Sequence, residues 1–528
     1  MRRSLVLLLV LFVGTSCFAD DWPTWQHDQR RSGFSGEQIE AGNLVAEWTW
    51  QSNFPPQPAW HGPAKWDAYA RIRDLPAMRS YDQVFHVVAV GDSVLFGSSA
   101  DDAVRCLTLT TGKERWKFTT DGPVRVAPLV ANGRLYFGSD DGFVYCLKAT
   151  NGELVWKFRP VEAGQKILNN GRFIPLNPCR TGVVLNGDNV WFACGILPWH
   201  PSWLCSVNAL TGLAEGQGTF VRKLNGKTLE GAPAVSSELV LFPQGRVAPQ
   251  VFNRTDGKEL GSFKKSGGGS IVVVSLDESI FHGPATDPRK GGIGRSDPKT
   301  REMVAGYGRG SALIVGDRVS YMLAEDELIA SDLATRKVLF QVPCEQRLSL
   351  VGTVNAVFAG GEDSVAAFDS KTGTRLWQQH VEGKVYGLAV ANGRLFASTD
   401  TGAIYAFRVE PGAANSAAAL PPDRDIGNTP PDVDVEEAAV DLPADSHQLG
   451  RWLFAGVHVR GKAVSNLAGG RVGQTVTGPL LRTFGERQAL ELDGSGQGVV
   501  IAENFRDAKM PRRTMSVEAW VRVDEPQT

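Results

Sequence analysis

Short runs of β-branched and aromatic residues alternate with two-residue turn signals along most of this chain. The clearest stretch is residues 124–158, which read VRVAPLVANGRLYFGSDDGFVYCLKATNGELVWKF. Asn132-Gly133, Asp141-Gly142 and Asn151-Gly152 divide it, and such pairs tolerate the positive φ angles of tight hairpin turns. The runs between them have the composition of strands. The pattern therefore predicts a four-stranded antiparallel meander.

The same unit recurs between residues 84 and 408. The glycine of its last turn returns at Gly112, Gly152, Gly212, Gly257 and Gly373, with weaker equivalents near Thr300 and Thr335. The 261 residues from Gly112 to Gly373 therefore contain six steps of about 44 residues each. Three outer strands carry a tryptophan, namely Trp116, Trp156 and Trp377. We count eight units, of which units four to six lack the tryptophan. Sheets of this size cannot bury both faces alone, so radial stacking predicts an all-β fold, an eight-bladed β-propeller of four-stranded antiparallel blades.

The missing outer strand of the last unit is expected at the other end of the propeller. The eighth unit ends at Arg408 after three strands, and residues 44–50, LVAEWTW, have the outer-strand pattern. We therefore predict that the propeller spans 44–408, that strand 44–50 closes the last blade, and that residues 20–43 form an N-terminal extension.

The repeat motif resembles the PQQ-type propeller repeat, in the segments TGKERWKF, NGELVWKF and TGTRLWQQ. The opening DWPTWQHDQRRSGFS resembles the start of secreted bacterial proteins of this group. The repeats are also similar to the outer-membrane assembly lipoprotein BamB, an eight-bladed propeller that binds proteins through its loops. This resemblance implies an exported, non-catalytic binding or assembly scaffold whose partners are other exported or envelope proteins.

An alternative function is implied by the quinoprotein alcohol dehydrogenases, which share this repeat. In that family a tryptophan and a vicinal Cys-Cys disulfide sandwich the quinone, and a calcium site lies beside it. This chain has no adjacent cysteines and no Cys-x-x-Cys-His haem motif. We therefore expect no cofactor, neither PQQ nor calcium, and a divergent quinone (PQQ)-dependent dehydrogenase is the alternative.

Residues 1–19 predict a secretory signal peptide that is cleaved after Ala19. Arg2 and Arg3 form the basic region, and the apolar run that follows is too short to span a membrane. Lipidation at Cys17 is the alternative processing. No other apolar run approaches membrane length, so we expect a periplasmic or secreted protein without a membrane span.

Composition changes after the propeller. Residues 409–445 are acidic and rich in proline and alanine, which predicts an extended linker, with a calcium-binding tail as the alternative. Residues 446–528 alternate strand runs with glycine-rich turns. Ala489–Gly494 and Ser516–Val521 resemble the start of a LamG-like, concanavalin A-like jelly roll. The resemblance implies an incomplete β-sandwich that binds polysaccharide, and we expect the chain to be a fragment.

Net charge and motif content exclude several function classes. The formal net charge of -2 lacks the electrostatic signature of a nucleic-acid binder. The eight histidines show no metal-ligand spacing, and no nucleophile elbow or phosphate-binding loop occurs. We expect no catalytic residue and no metal ligand. In an oxidising compartment, Cys194 and Cys205 form the candidate disulfide.

One unusually long hairpin loop, residues 196–203, presents aromatic residues to a partner. It reads ILPWHPSW and contains Trp199, His200 and Trp203. Tryptophan is enriched at binding hot spots. The alternative is that these side chains fold back over the face of the propeller.

Two further sets of residues are candidates for the central channel. Trp60 and Trp66 lie between the closing strand and blade 1, where they either contact a ligand or cap the channel. Arg125 and Arg180 precede the inner strands of blades 2 and 3. These cations either face an anionic ligand or pair with local carboxylates.

Overall fold

A computed structural model describes residues 20–60 and 81–410, apart from 163, 170–171, 246, 265–267, 270, 284–291 and 309. Beyond these it describes the backbone of six short strands between residues 459 and 500. The expected signal peptide, Trp66, nearly all of the linker and the motif at 516–521 lie outside the described residues. The chain divides into two compact units, Met1–Pro422 and Asp423–Thr528.

The first half of unit one begins with a 3₁₀ turn, Ala41–Asn43, and strand β1, Leu44–Gln51. Blade 1 contains β2 (Val88–Val90), β3 (Ser93–Ser98), β4 (Ala103–Thr108) and β5 (Glu114–Thr119). Blade 2 contains β6 (Leu129–Ala131), β7 (Arg134–Gly138), β8 (Val144–Lys148) and β9 (Leu154–Phe158). A separate hairpin follows, made of β10 (Lys166–Asn169) and β11 (Arg172–Pro175). Blade 3 contains β12 (Val184–Asn186), β13 (Asn189–Cys194), β14 (Ser202–Asn208) and β15 (Phe220–Leu224). Blade 4 contains β16 (Ala234–Val235), β17 (Leu239–Gln244), β18 (Val247–Asn253) and β19 (Glu259–Ser262).

The second half continues with the same order of strands. Blade 5 contains β20 (Ile271–Val274), β21 (Ile280–Gly283), β22 (Ile293–Ser296) and β23 (Met303–Tyr307). Blade 6 contains β24 (Gly310–Val315), β25 (Val319–Ala324), β26 (Glu327–Asp332) and β27 (Val338–Pro343). Blade 7 contains β28 (Ser349–Gly352), β29 (Ala356–Gly360), β30 (Glu362–Asp369) and the first part of β31 (Arg375–Ala391). Blade 8 contains the second part of β31, then β32 (Arg394–Thr399), β33 (Ala403–Val409) and β1.

The ring closes without a covalent bond. β1 pairs antiparallel with β33, from Leu44 opposite Val409 to Gln51 opposite Ala403. The guanidinium of Arg394 donates two hydrogen bonds to the Glu47 carboxylate, at 2.7 and 2.9 Å. One buried apolar cluster contains side chains of blades 7, 8 and 1, and further clusters join the other neighbouring blades. The all-β propeller expected from the sequence is confirmed.

Contacts between neighbouring blades explain the repeated glycine and tryptophan. Gly152 has a φ of 71°, and a Cβ placed there would lie 2.6 Å from the Trp116 ring of the preceding blade. A glycine is needed at this turn because a side chain would meet that ring. Four other pairs of outer-strand aromatic and turn glycine repeat the contact: Trp48 with Gly112, Trp156 with Gly212, Phe220 with Gly257, and Phe340 with Gly373. Phenylalanine thus takes the place of tryptophan in blades 3 and 6.

The N-terminal extension covers one end of the central channel, and we call residues 20–39 the hub segment. It hydrogen-bonds to the inner part of every blade. The eight blade atoms are the backbone nitrogens of Ala89, Val130, Leu185, Val235, Val274, Val315, Gly352 and Asn392, at 2.5 to 3.2 Å from their acceptors in the segment. At its centre the buried Arg31 donates to the Pro233 carbonyl at 2.7 Å, and burial lowers its pKa to about 10. One short peptide is therefore hydrogen-bonded to all eight blades.

The expected disulfide between Cys194 and Cys205 is not formed in the structure. Both residues are buried free thiols. They lie on paired strands but not opposite each other. Cys194 faces Trp203, and Cys205 faces Phe192. Both side chains belong to the apolar cluster between blades 2 and 3, so their role here is packing.

The second unit is described only by its strands. Four pair in the order β34 (Val459–Arg460), β35 (Ala463–Val464), β36 (Gly473–Val476) and β39 (Gly498–Val500), and β37 (Leu480–Phe484) pairs with β38 (Arg487–Glu491). All these pairings are antiparallel. Glycan binding by this region stays a prediction.

Candidate functional site

Three charged residues occupy equivalent positions at the other end of the channel, which we call the entrance. Arg125, Arg180 and Glu230 each stand four residues before the inner strand of blades 2, 3 and 4. Because the inner strands surround the channel, their preceding residues converge where those strands begin. All three side chains are at least nine-tenths buried. The repeat thus brings together residues that are far apart in sequence.

Both arginines form ion pairs with nearby carboxylates. Asp140, in the β7–β8 turn, accepts from Arg125 Nε at 2.8 Å and from Arg180 Nε and Nη2 at 2.8 and 2.9 Å. Arg125 Nη1 also donates to Asp82 Oδ2 at 2.8 Å. Burial alone would raise the pKa of Asp140, but the two guanidiniums outweigh it and hold that pKa below its usual value. Asp140 is therefore held as a carboxylate between two cations.

Two segments before blade 1 cover this network. Trp60 Nε1 and Tyr81 Oη donate to Glu230 Oε2 at 2.7 and 2.8 Å. The Arg180 guanidinium lies over the Trp60 ring, 5.6 Å from its centroid. Burial alone would lower the pKa of Arg180, but the charge of Asp140 raises it above its usual value. The structure shows Arg125 and Arg180 paired with local carboxylates and Trp60 beside them. Contact of these residues with a ligand stays a prediction.

The donor set at the entrance does not fit the calcium ion that accompanies the quinone in the dehydrogenases. Calcium takes six to eight oxygen ligands, whereas Asp82, Asp140 and Glu230 are bonded to arginines, an indole or a phenol. No cluster of three or more His, Cys, Asp or Glu side chains within the described ranges has the arrangement of a metal site.

The β10–β11 hairpin adds an apolar surface that the sequence analysis did not single out. Ile167 and Ile174 on one face pack with Trp60 in a small buried cluster. Leu168 and Phe173 pair opposite each other on the other face and are 66% and 53% exposed. The signal was present in the sequence, since an Asn-Gly pair separates the two short apolar runs, as in a hairpin.

Ion pairs and hydrogen bonds fix this hairpin to the propeller. Arg172 donates two hydrogen bonds to the Asp102 carboxylate of blade 1, at 2.7 and 2.9 Å. Asn169 Oδ1 accepts from Arg180 Nη2 at 2.8 Å, which joins the hairpin to the entrance. The exposed apolar face is therefore presented by an anchored element.

The structure separates the three residues predicted for the loop between β13 and β14. Trp199 is 69% exposed at the tip. His200 and Trp203 are half-buried and line a cavity of about 260 Å³. Other walls of the cavity come from the chain around the hairpin, including Arg159, Glu162, Gln165, Pro175, Asn177 and Pro201. The loop thus contributes to an exposed surface and to a concave one.

A family model described as outer membrane protein assembly factor BamB matches residues 49–241 and 361–415. Over these residues the chain is similar to that family. The first range contains the entrance, the hairpin and the loop with Trp199. No curated protein matches the chain. Within the described residues, no helix has the length and apolar character needed to cross a membrane.

Two dehydrogenases of known structure share the fold at low identity. The quinohemoprotein alcohol dehydrogenase from Comamonas testosteroni has a TM-score of 0.52 at 13% identity, over 77% of this chain and 83% of that chain. The quinohemoprotein alcohol dehydrogenase ADHIIG from Pseudomonas putida HK5 has a TM-score of 0.51 at 11% identity, over 76% and 82%. BamB from Moraxella catarrhalis has a TM-score of 0.35 at 12% identity, over 70% and 99%. The two dehydrogenases are similar to this chain in fold alone.

Proposed function

We propose that this chain is an exported, non-catalytic scaffold that binds another protein through one side of its propeller. The contact region is the docking surface, defined as Leu168, Phe173 and Trp199. Its three large apolar side chains are each more than half exposed. The observation that carries the proposal is that they project from a hairpin and a loop that add no strand to any blade.

The surroundings of the docking surface favour recognition of a protein. Tryptophan and other large side chains dominate binding energy when a partner removes them from water. Burying one such side chain contributes about 1.5–3 kcal/mol. The anchored hairpin loses little conformational freedom on binding, which leaves more of that energy for affinity. The similarity to the assembly factor BamB over this part of the chain supports the same function.

The partner can be identified by photo-crosslinking in cells that make the protein. A benzoylphenylalanine at position 173 should form one dominant adduct with a single protein. The same probe at Leu339, on the outer strand of blade 6, is the matched control because Leu339 is 52% exposed. A similar adduct pattern from both positions would contradict the proposal.

The purified partner then tests the surface directly. Phe173→Ser and Trp199→Ser should each weaken its binding by about tenfold or more, while Leu339→Ser should leave the affinity unchanged. Added quinone and calcium test the alternative. Saturable binding of the quinone with dye-linked alcohol oxidation would overturn the non-catalytic proposal.

A further inference from the structure

The cavity beside the docking surface is a separate concave site. Its volume is about 260 Å³, and it lies between residues 159–162 and 164–165, the end of the hairpin and the loop after Trp199. None of the three residues of the docking surface lines it. A ligand of this cavity can therefore be tested independently of a protein partner.

Several polar side chains around this cavity have no protein partner. Asp141 is the exception, because it accepts hydrogen bonds from the Tyr145 hydroxyl and from the backbone N–H groups of Asp121 and Phe143. Within the part of the chain that the structure describes, the side chains of Glu162, Gln165 and His200 form no hydrogen bond or ion pair. Arg159 lies only over the Phe143 ring, 4.8 Å from its centroid. Asn177 Oδ1 has no hydrogen-bond partner.

Arginines nearby behave differently, since the guanidiniums of Arg125, Arg172 and Arg180 are all bonded to carboxylates. Side-chain donors and acceptors without a protein partner thus line this cavity.

The chemistry of the walls selects among ligand classes. Trp203, Pro175 and Pro201 supply flat apolar surfaces, while amide, imidazole, guanidinium and carboxylate groups supply both donors and acceptors. An apolar side chain would bury these polar groups without partners, which is costly. An anion would meet Glu162, and a cation would meet Arg159.

We propose that this cavity binds a neutral saccharide ring. A pyranose places its apolar C–H face against an aromatic ring and presents hydroxyls that both donate and accept. The cavity is smaller than the ≈ 300–1,000 Å³ of sites for drug-sized ligands, which suits a single sugar unit. The expected affinity is correspondingly modest, with a Kd of about 1–10 mM.

The test uses the full chain and a panel of methyl glycosides of glucose, galactose, mannose and N-acetylglucosamine. Saturation-transfer NMR and calorimetry should show that at least one of them binds. With 5-fluorotryptophan incorporated, the resonance that Trp203→Phe removes should shift on binding. The Trp199 resonance, assigned in the same way, should not.

Variants then locate the site. Trp203→Leu should weaken binding at least tenfold, and Trp199→Leu is the matched control that should retain it. Glu162→Ala with Gln165→Ala changes only exposed side chains and should weaken binding about fivefold or more without altering the melting temperature. This second variant keeps the test valid if Trp203→Leu fails to fold.

Three results would overturn the proposal. These are no binding of any glycoside up to about 50 mM, binding that both variants retain, and tighter binding of a proline-rich peptide than of any sugar. Loss of the protein partner in Phe173→Ser would leave these readings unchanged, because that residue does not line the cavity.

Discussion

Single aromatic side chains couple several of the blades to the next one along the chain. Trp48, Trp156 and Trp377 donate from Nε1 to a backbone carbonyl of the following blade, at 2.8, 3.0 and 2.9 Å. Trp116 occupies the equivalent position, yet its Nε1 is buried without a hydrogen-bond partner. The same residue type therefore carries an additional interaction in some blades and not in others.

This difference predicts unequal effects of the same substitution. Trp377→Phe should lower the free energy of unfolding by about 1 kcal/mol more than Trp116→Phe, because only Trp377 loses a hydrogen bond. Both side chains are half-buried, so the loss of apolar area is similar. Denaturant unfolding of the two variants measures the difference. Equal losses would show that the bond to Leu44 contributes nothing.

Residue identity alone predicted the repeated turns and outer strands but neither the contacts between them nor the entrance network. The spacing of Gly152 and Trp156 in one repeat indicates equivalent turns and strands, since both recur. The pairing of Arg180 with Asp140 could not be chosen in advance, because nothing in a single repeat says which carboxylate of a neighbouring blade lies opposite. That choice depends on how the blades pack.

At the scale of elements, two glycines of blade 2 have the same backbone conformation but different surroundings. Gly133 and Gly152 both have a φ of 71°. A Cβ at Gly133 would have no heavy atom within 4 Å, whereas one at Gly152 would lie 2.6 Å from Trp116. The two turns differ in what surrounds them and not in their φ angle.

We therefore expect different losses from the two alanine variants. Gly133→Ala should cost about 1–2 kcal/mol from the left-handed backbone alone. Gly152→Ala should cost a further ~1–3 kcal/mol, because Trp116 must move. Thermal and urea unfolding of both variants give the comparison. A Gly152→Ala protein as stable as Gly133→Ala would mean that the outer strand shifts at no cost.

The blade strands could be predicted because turn signals and β-branched runs repeat. The β10–β11 hairpin shows the limit of that method. Ile167 and Ile174 face inward while Leu168 and Phe173 face solvent, and an apolar run of this kind does not reveal which face lacks a cover. The exposed face follows from packing against Trp60, which is distant in sequence.

At the scale of the whole molecule, described segments from outside the blades cover both ends of the channel. The hub segment lies at one end, and Trp60 and Tyr81 lie at the other. The number of repeats predicted the ring, whereas the sequence of residues 20–39 has no pattern that is typical of strands. Their structure is set by hydrogen bonds to eight separate blades, so no local pattern predicts it.

Truncation should separate the hub segment from the closing strand. A chain that starts at residue 40 keeps β1 but loses the eight hub contacts, and we expect its melting temperature to fall by more than about 5 °C. A chain that starts at residue 53 also loses the pairing of β1 with β33, and it should melt lower still and self-associate through the open edge. Calorimetry and light scattering measure both effects. Coincident melting of the two truncations would contradict closure by β1.

The pairing of β1 with β33 also implies a delay during synthesis of the chain, because β1 is made long before β33. Roughly 350 residues separate the two strands, so at 5–20 residues per second β1 waits about 20–70 s for its partner. During that time Trp48 and Trp50 stand on a strand with no neighbour. Among the strands of the propeller, β1 is therefore the first to be synthesised, and it can pair only after β33 has been made.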